Sequence, residues 1–164
     1  MSYTVLARKY RPQKLSELIG QDTLVKVITN SFRLNRIAHA FLLTGSRGIG
    51  KAIAYQCASH GAKVIISSRK SEACEKVVNE INNSMNQELA YSIPANISDD
   101  DQLEYLVNES KNKIQKIDVL SCNAATNPYM GSMLDMPIEK FDKVMNNNIR
   151  SNQILCNLVL PDMI

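Results

Sequence analysis

LLTGSRGIGKA, residues 42–52, is the stretch whose reading decides the fold. It continues an apolar run, HAFLLTG at 39–45, which reads as a buried strand. After it, Ile49, Ala52, Ile53, Cys57 and Ala58 recur at helical spacing across 48–60, closed by Gly61. Strand, glycine turn and helix in that order suit a phosphate. Glycines let the backbone come close, and the free N–H groups of the first helical turn supply donors. Two chemistries use such a turn. As a P-loop, Gly45-x-x-x-x-Gly50-Lys51 has the right spacing, but the next residue should bring a hydroxyl to Mg²⁺ and Ala52 has none. As a dinucleotide turn, Gly45, Ser46, Arg47, Gly48, Ile49 and Gly50 would hold a pyrophosphate, with Ala52 and Ala54 small enough for the helix to close on the sheet. The next strand ends in Ser67-Ser68-Arg69-Lys70. A 2′-phosphate wants a cation there and NAD an acidic residue, so Ser68 and Arg69 join the candidate cofactor residues and NADP is the expected cofactor.

Outward from this turn the pattern keeps alternating. KVIIS at 63–67 reads as a strand, 71–83 as a helix and LAYSI at 89–93 as a strand. Ser98 is placed to cap a helix that turns Leu103, Leu106, Val107 and Ile114 inward, and IDVLSC at 117–122 is another strand. The last segment, 137–160, puts Ile138, Phe141, Met145, Asn148, Asn152, Leu155 and Val159 on one helical stripe. Crossovers of this length pair strands in parallel, so the fold expected is α/β, a Rossmann-like doubly wound parallel sheet. Apolar surface near Leu155, Leu158 and Val159 is expected to stay exposed and to drive self-association through this C-terminal helix.

Ahead of the sheet lies a basic leader. Residues 1–45 hold seven Lys/Arg against two Asp/Glu, whereas 46–164 hold twelve against fourteen. Pro12 breaks RKYRPQK at 8–14, and Asp22 could cap a helix to about Leu34 with Leu24, Val25, Ile28 and Phe32 on one face. Two parts follow: a basic helical extension, 1–38, and a nucleotide-binding domain, 39–164. Seven dispersed charges read as a solvated surface, so nucleic acid is not an expected partner. The four cysteines, Cys57, Cys74, Cys122 and Cys156, form no C-x-x-C pair and read as reduced core thiols, while His39 and His60 lack partners at ligand spacing; no metal is expected. No apolar run is long enough for a bilayer and no secretory signal opens the chain, so no membrane and a cytoplasmic location are expected.

The ordered motifs TG-SRGIGKAIA, SSRK, ANI (95–97), CNAATNP (122–128) and NNNI (146–149) resemble a short-chain dehydrogenase/reductase, closest to the NADP-dependent carbonyl and retinol reductases of that family. The resemblance runs over 44–164. It implies hydride transfer between NADPH and a small-molecule carbonyl or alcohol. It places Asn96 and Ile97 about the adenine, Asn123, Ala124 and Ala125 in the turn after the fourth strand, and Asn148 as the helix Asn of the catalytic tetrad. Two departures stand out. The family turn is Thr-Gly-x-x-x-Gly-x-Gly, and here only Ser46 and Arg47 separate Gly45 from Gly48, a deletion that would shift N–H groups by up to ~3.5 Å. Asn96 stands where an Asp is usual. The family's Ser and Tyr-x-x-x-Lys do not follow Asn148 before Ile164, so the expectation is a partial domain, inactive as this chain.

Residues 1–45 are similar to something else, the start of the gamma/tau subunit of the bacterial DNA polymerase III clamp loader. Arg11-Pro12, Leu15, Glu17 and Gly20-Gln21 match its RP-x-x-(aromatic or Leu)-x-E-x-x-GQ string. The alternatives to a reductase are therefore an ATP-binding replication module, against which Ala52 and a missing acidic Walker B strand count, and a hybrid gene product without function.

Overall fold

The computed structural model describes residues 40–44 and 48–164. The expected extension 1–38, its helix at 22–34 and the boundary at 38/39 lie outside the described residues, as do Gly45, Ser46 and Arg47.

Valine and isoleucine dominate KVIIS, and these stiff side chains suit a strand buried on both faces. The strand β2 (Lys63–Ser67) is buried from Val64 onward. It pairs in parallel with β1 (Ala40–Thr44) on one side and β3 (Ala90–Ser92) on the other; β1 pairs in parallel with β4 (Val119–Cys122). The order β3-β2-β1-β4 reverses direction between β1 and β4, so the sheet is doubly wound as the sequence implies.

Alternation along β2 feeds two cores. Val64 and Ile66 pack with Ile53, Ala54, Cys57 and Ala58 of α1 (Ile49–Ser59) and with Cys74, Val77 and Ile81 of α2 (Ser71–Met85). Ile65 points the other way, to Leu103, Leu106, Val107 and Ile114 of α3 (Asp100–Ile114), as the helical spacing predicts, and to Leu155 and Val159 near the C-terminus. Each fully buried isoleucine contributes about 2 kcal/mol of transfer free energy. All four cysteines are free; Cys57 and Cys74 are buried and the other two half-buried.

The C-terminal segment departs from the single stripe. Helix α4 (Ile138–Met145) runs into a π turn (Asn146–Arg150) before α5 (Ser151–Val159). A π turn holds an extra residue and rotates the helix phase. The buried stripe becomes Asn147, Ser151, Leu155 and Val159. Ile138, Phe141, Met145 and Ile149 are exposed. The expectation that Leu155 and Val159 stay uncovered is therefore corrected: both are fully buried, and Leu158 packs partly against the same core. Exposed apolar surface lies two turns earlier.

Gly61 ends α1 as the sequence suggests. Its φ is +84°, its N–H donates to Ala58 O at 2.9 Å, and Ala62 N–H reaches Cys57 O at 3.2 Å. Nothing stands within 4 Å of where a Cβ would sit. Gly61→Ala therefore costs backbone strain alone, an expected loss of about 1 kcal/mol in urea unfolding.

Candidate functional site

Strand register brings the site together. Thr44 of β1 is level with Ser67 of β2 and Cys122 of β4. The three strands thus end level at one edge of the sheet, its carboxyl end, and the segments starting at residues 68 and 123 leave from there. There, outside the strand order reversal, doubly wound sheets hold ligands. An open cleft of about 700 Å³ occupies this edge, lined by Ser67 at the end of β2 and residues 68–70 after it, Ala95 and Ile97 after β3, residues 123–126 after β4, Ala73 and Asn147.

The glycine turn enters α1 through Gly48, with φ 57° and ψ −111°, a conformation closed to side chains with a Cβ. Gly48 O accepts the first helical bond from Ala52 N–H at 3.1 Å, and Gly50 is buried where the helix meets the sheet. Ile49 packs partly against the α1/α2 core. Lys51, the lysine of the P-loop reading, forms an ion pair with Glu80 of α2. It is bound to a neighbouring helix, where it neutralises a carboxylate.

Arg69 and Lys70 line the cleft as exposed cations, and neither has an ion-pair partner among the described residues. Ser68 shapes their bend: its hydroxyl lies 3.1 Å from Cys74 Sγ and accepts Lys70 N–H at 3.4 Å.

After β3 the structure separates two residues the sequence pairs. Ile97 lines the cleft; Asn96 does not. Asn96 Oδ1 accepts Ser98 N–H at 3.2 Å, an Asx turn, and its own N–H donates to Gln102 Oε1 at 2.8 Å. The cap of α3 is Asp99, not Ser98: Asp99 Oδ1 accepts Gln102 N–H at 3.3 Å. Ser98 instead donates its hydroxyl to Asn147 Oδ1 at 2.8 Å.

Asn123, Ala124 and Ala125 lie on the cleft wall. The next residue is fixed by Asn148, whose Oδ1 accepts Thr126 N–H at 2.8 Å while its Nδ2 donates to Thr126 O at 2.9 Å. Both ends of one amide thus hold the backbone N–H and C=O of one residue, pinning the loop after β4 to the π turn. Asn148 O in turn accepts from Asn152 Nδ2 at 2.8 Å. Ser67, Ala73, Thr126 and Asn147 line the cleft and were missed by sequence reasoning. Three consecutive asparagines offer no signal as to which faces inward, because the π turn sets the phase.

Burial pushes the Cys57 thiol up to about 12 and, with Cys156 nearby, the Cys122 thiol up to about 11. Both stay neutral and are poor nucleophiles. The π turn is also tied to the start of α3 by a two-point pair: Arg150 Nη1 and Nη2 donate to Asp100 Oδ1 and Oδ2 at 2.7 and 2.5 Å. The guanidinium hydrogen bond holds the Asp100 carboxyl below its ordinary range. A depressed carboxylate stabilises the fold above its unfolded pKa and loses that contribution as pH falls through the folded value. Asp100→Asn is expected to lower the melting temperature at pH 7, with the gap to wild type closing as the pH is taken down to 3. A constant gap would show that the charge plays no part.

A parallel doubly wound sheet with a glycine turn and a cleft at its carboxyl edge defines the class: a Rossmann-type α/β domain of the kind that binds nicotinamide dinucleotides. A sequence profile for short chain dehydrogenases matches residues 38–164, and the chain belongs to that family. It is 31% identical over 125 residues to mouse dehydrogenase/reductase SDR family member 4, covering 76% of this chain and 44% of that protein. The chain thus spans about half the length of the curated relatives of this family that it matches. Among solved structures, a metagenomic short-chain oxidoreductase in complex with NADP superposes with a TM-score of 0.71 at 28% identity, over 76% of this chain and 56% of that one. The 3-ketoacyl-(acyl-carrier-protein) reductase from Brucella melitensis, complexed with NADH, gives 0.70 at 27%, over 76% and 50%. A second similarity stands beside these: 55% identity over 51 residues to DNA polymerase III subunit gamma of Buchnera aphidicola (from Schizaphis graminum), 31% of this chain and 14% of that one. Only 37 residues precede the dehydrogenase match, so the two similarities overlap. No helix among the described residues is long and apolar enough to cross a membrane.

Proposed function

We propose that residues 40–164 form an NADP(H)-binding unit of a carbonyl/alcohol oxidoreductase. The observation that carries the choice of NADP is the cationic pair Arg69 and Lys70, which line the cleft at the end of β2 without ion-pair partners among the described residues. A 2′-phosphate beside them would gain charge-assisted hydrogen bonds. In this reading Gly45 to Gly50 hold the pyrophosphate, Ile97 and Asn123 to Ala125 wall the nucleoside, and Asn148 acts as a positioning residue that fixes the loop beside the nicotinamide. The family's Ser and Tyr-x-x-x-Lys do not follow Asn148 within these 164 residues. The Lys51–Glu80 pair and Ala52 both weigh against an ATP-hydrolysing reading of the same loop.

Titration of the 164-residue chain is expected to give tighter binding of NADPH than of NADH or ATP. Arg69→Glu should weaken NADPH about tenfold or more while leaving NADH nearly unchanged. ATP binding equal to or tighter than NADPH would overturn the assignment.

Self-association belongs to the same proposal, moved from the α5 stripe to that of α4. Ile138, Phe141, Met145 and Ile149 form an exposed apolar row at helical spacing. Phe141→Asp is expected to shift the sedimentation coefficient toward that of a monomer; wild type sedimenting as a monomer at high concentration would remove the surface from consideration.

A further inference from the structure

Two polar side chains of the cleft wall have hydrogen-bonding capacity that no described residue uses. Asn147 is 6% exposed, and its Oδ1 is held by the Ser98 hydroxyl at 2.8 Å. That bond fixes the amide, and its Nδ2 donates to no described residue. Ser67 is 1% exposed, and its hydroxyl has no hydrogen-bond partner among the described residues. A buried polar group left without a partner is destabilising and asks for an explanation. Both residues line the same cleft.

They also share one face of the sheet. Ser67 lies two residues beyond Ile65 in β2, so both point to the α3/α5 side. Asn147 begins the buried stripe that continues through Ser151 to Leu155, which packs in one core with Ile65. The stripe is apolar at its far end and polar where it reaches the cleft. Ala95 and Ile97 supply apolar wall there. Asn96, which the resemblance places at the base, uses its Oδ1 within its own turn.

We propose that Asn147 and Ser67 read the base edge of the bound nucleotide. Asn147 Nδ2 donates to an adenine ring nitrogen, and the Ser67 hydroxyl, which swings about a single χ1 bond, accepts from the adenine amino group. Adenine sets a 6-amino donor beside a ring acceptor; a purine with a 6-oxo group presents an acceptor in place of that donor. The assignment rests on the nucleotide-binding reading above and adds to it a pair of residues that selects the base.

The test titrates the 164-residue chain with NADPH and with its hypoxanthine analogue. Wild type is expected to prefer NADPH by about tenfold, the worth of one to two neutral hydrogen bonds. Asn147→Leu, close in volume, is expected to weaken NADPH about fivefold and so to cut the preference to about twofold, with the hypoxanthine analogue bound as before. Ser67→Ala should do the same to a smaller degree. Unchanged binding of the analogue reports an intact cleft, and if Asn147→Leu does not fold, Ser67→Ala and the wild-type preference decide. Equal weakening of both dinucleotides would mark the pair as structural and overturn the proposal. So would a wild type that binds NADPH without preferring it, although nucleotide binding would then stand. A wild type that binds neither dinucleotide would overturn both readings.

Discussion

A parallel strand inside a sheet must be covered on both faces, and β2 imposes that requirement on the rest of this chain. Val64 and Ile66 need one layer of helices, and Ile65 needs another. The chain meets both demands by sending α1 and α2 to one side and α3 and α5 to the other. Because each helix returns the chain to the opposite end of the sheet, connections at the carboxyl edge are free to splay apart where strand order reverses. The cleft is thus a by-product of satisfying β2. Its walls are short connections, and side chains help to hold them: Asn96 and Asp99 after β3, Asn148 after β4.

The π turn couples this scaffold to the site. It lies where α4 runs into α5, and its extra residue turns two adjacent asparagines to separate tasks. Asn148 spends both amide atoms on Thr126. Asn147 spends one on Ser98 and keeps the other. The same turn throws Ile138, Phe141 and Met145 outward while keeping Leu155 and Val159 on the sheet. One local irregularity therefore sets the cleft wall and the exposed apolar row together. The Arg150–Asp100 pair closes the arrangement by binding the end of the turn to the first residue of α3, so the connections after β3 and β4 are braced against one another.

Much of this was legible in the sequence because two periodicities are strong. Period-two and all-apolar runs located β2, β3 and β4 to within two residues, and the 3.6-residue spacing picked out Ile53, Cys57 and Ala58 of α1 and Leu103, Leu106, Val107 and Ile114 of α3 as buried, whereas Ile49 and Ala52 are only half-buried. Gly61 marked the end of α1 for a stated conformational reason, and the structure gives it the positive φ expected. The failures share a cause. Whether Ser98 or Asp99 caps α3 depends on a one-residue difference in where the chain turns, and composition permits either. The face of α4 and α5 depends on a π turn that no residue type announces. Ser67 and Asn147 escaped notice because a polar residue at the rim of a core reads as solvent-facing until its neighbours are in place. The cleft lining was therefore partly visible as motifs, Arg69 and the turn at residues 123–125 above all, whereas its hydrogen-bonding wall was not.

Two similarities overlap in this chain, and the element they overlap in tolerates that. A strand, a glycine turn and a helix N-terminus meet the needs of an NTP phosphate and of a dinucleotide pyrophosphate through the same unpaired N–H groups. What separates the two uses lies just beyond: a hydroxyl at position 52 for Mg²⁺, or small residues that let the helix settle on the sheet. This chain has Ala52 and Ala54, and Ala54 is completely buried against the α1/α2 core with Cys57 and Ala58. Lys51, common to both patterns, is committed to Glu80 across the helix pair. A lysine serving a P-loop must point along the loop toward phosphate, and one that bridges to α2 has given up that position. The packing of α1 thus follows the dehydrogenase half of the chain, and the strand that precedes the turn needs only to be apolar, of the right length and parallel to β2, which β1 is.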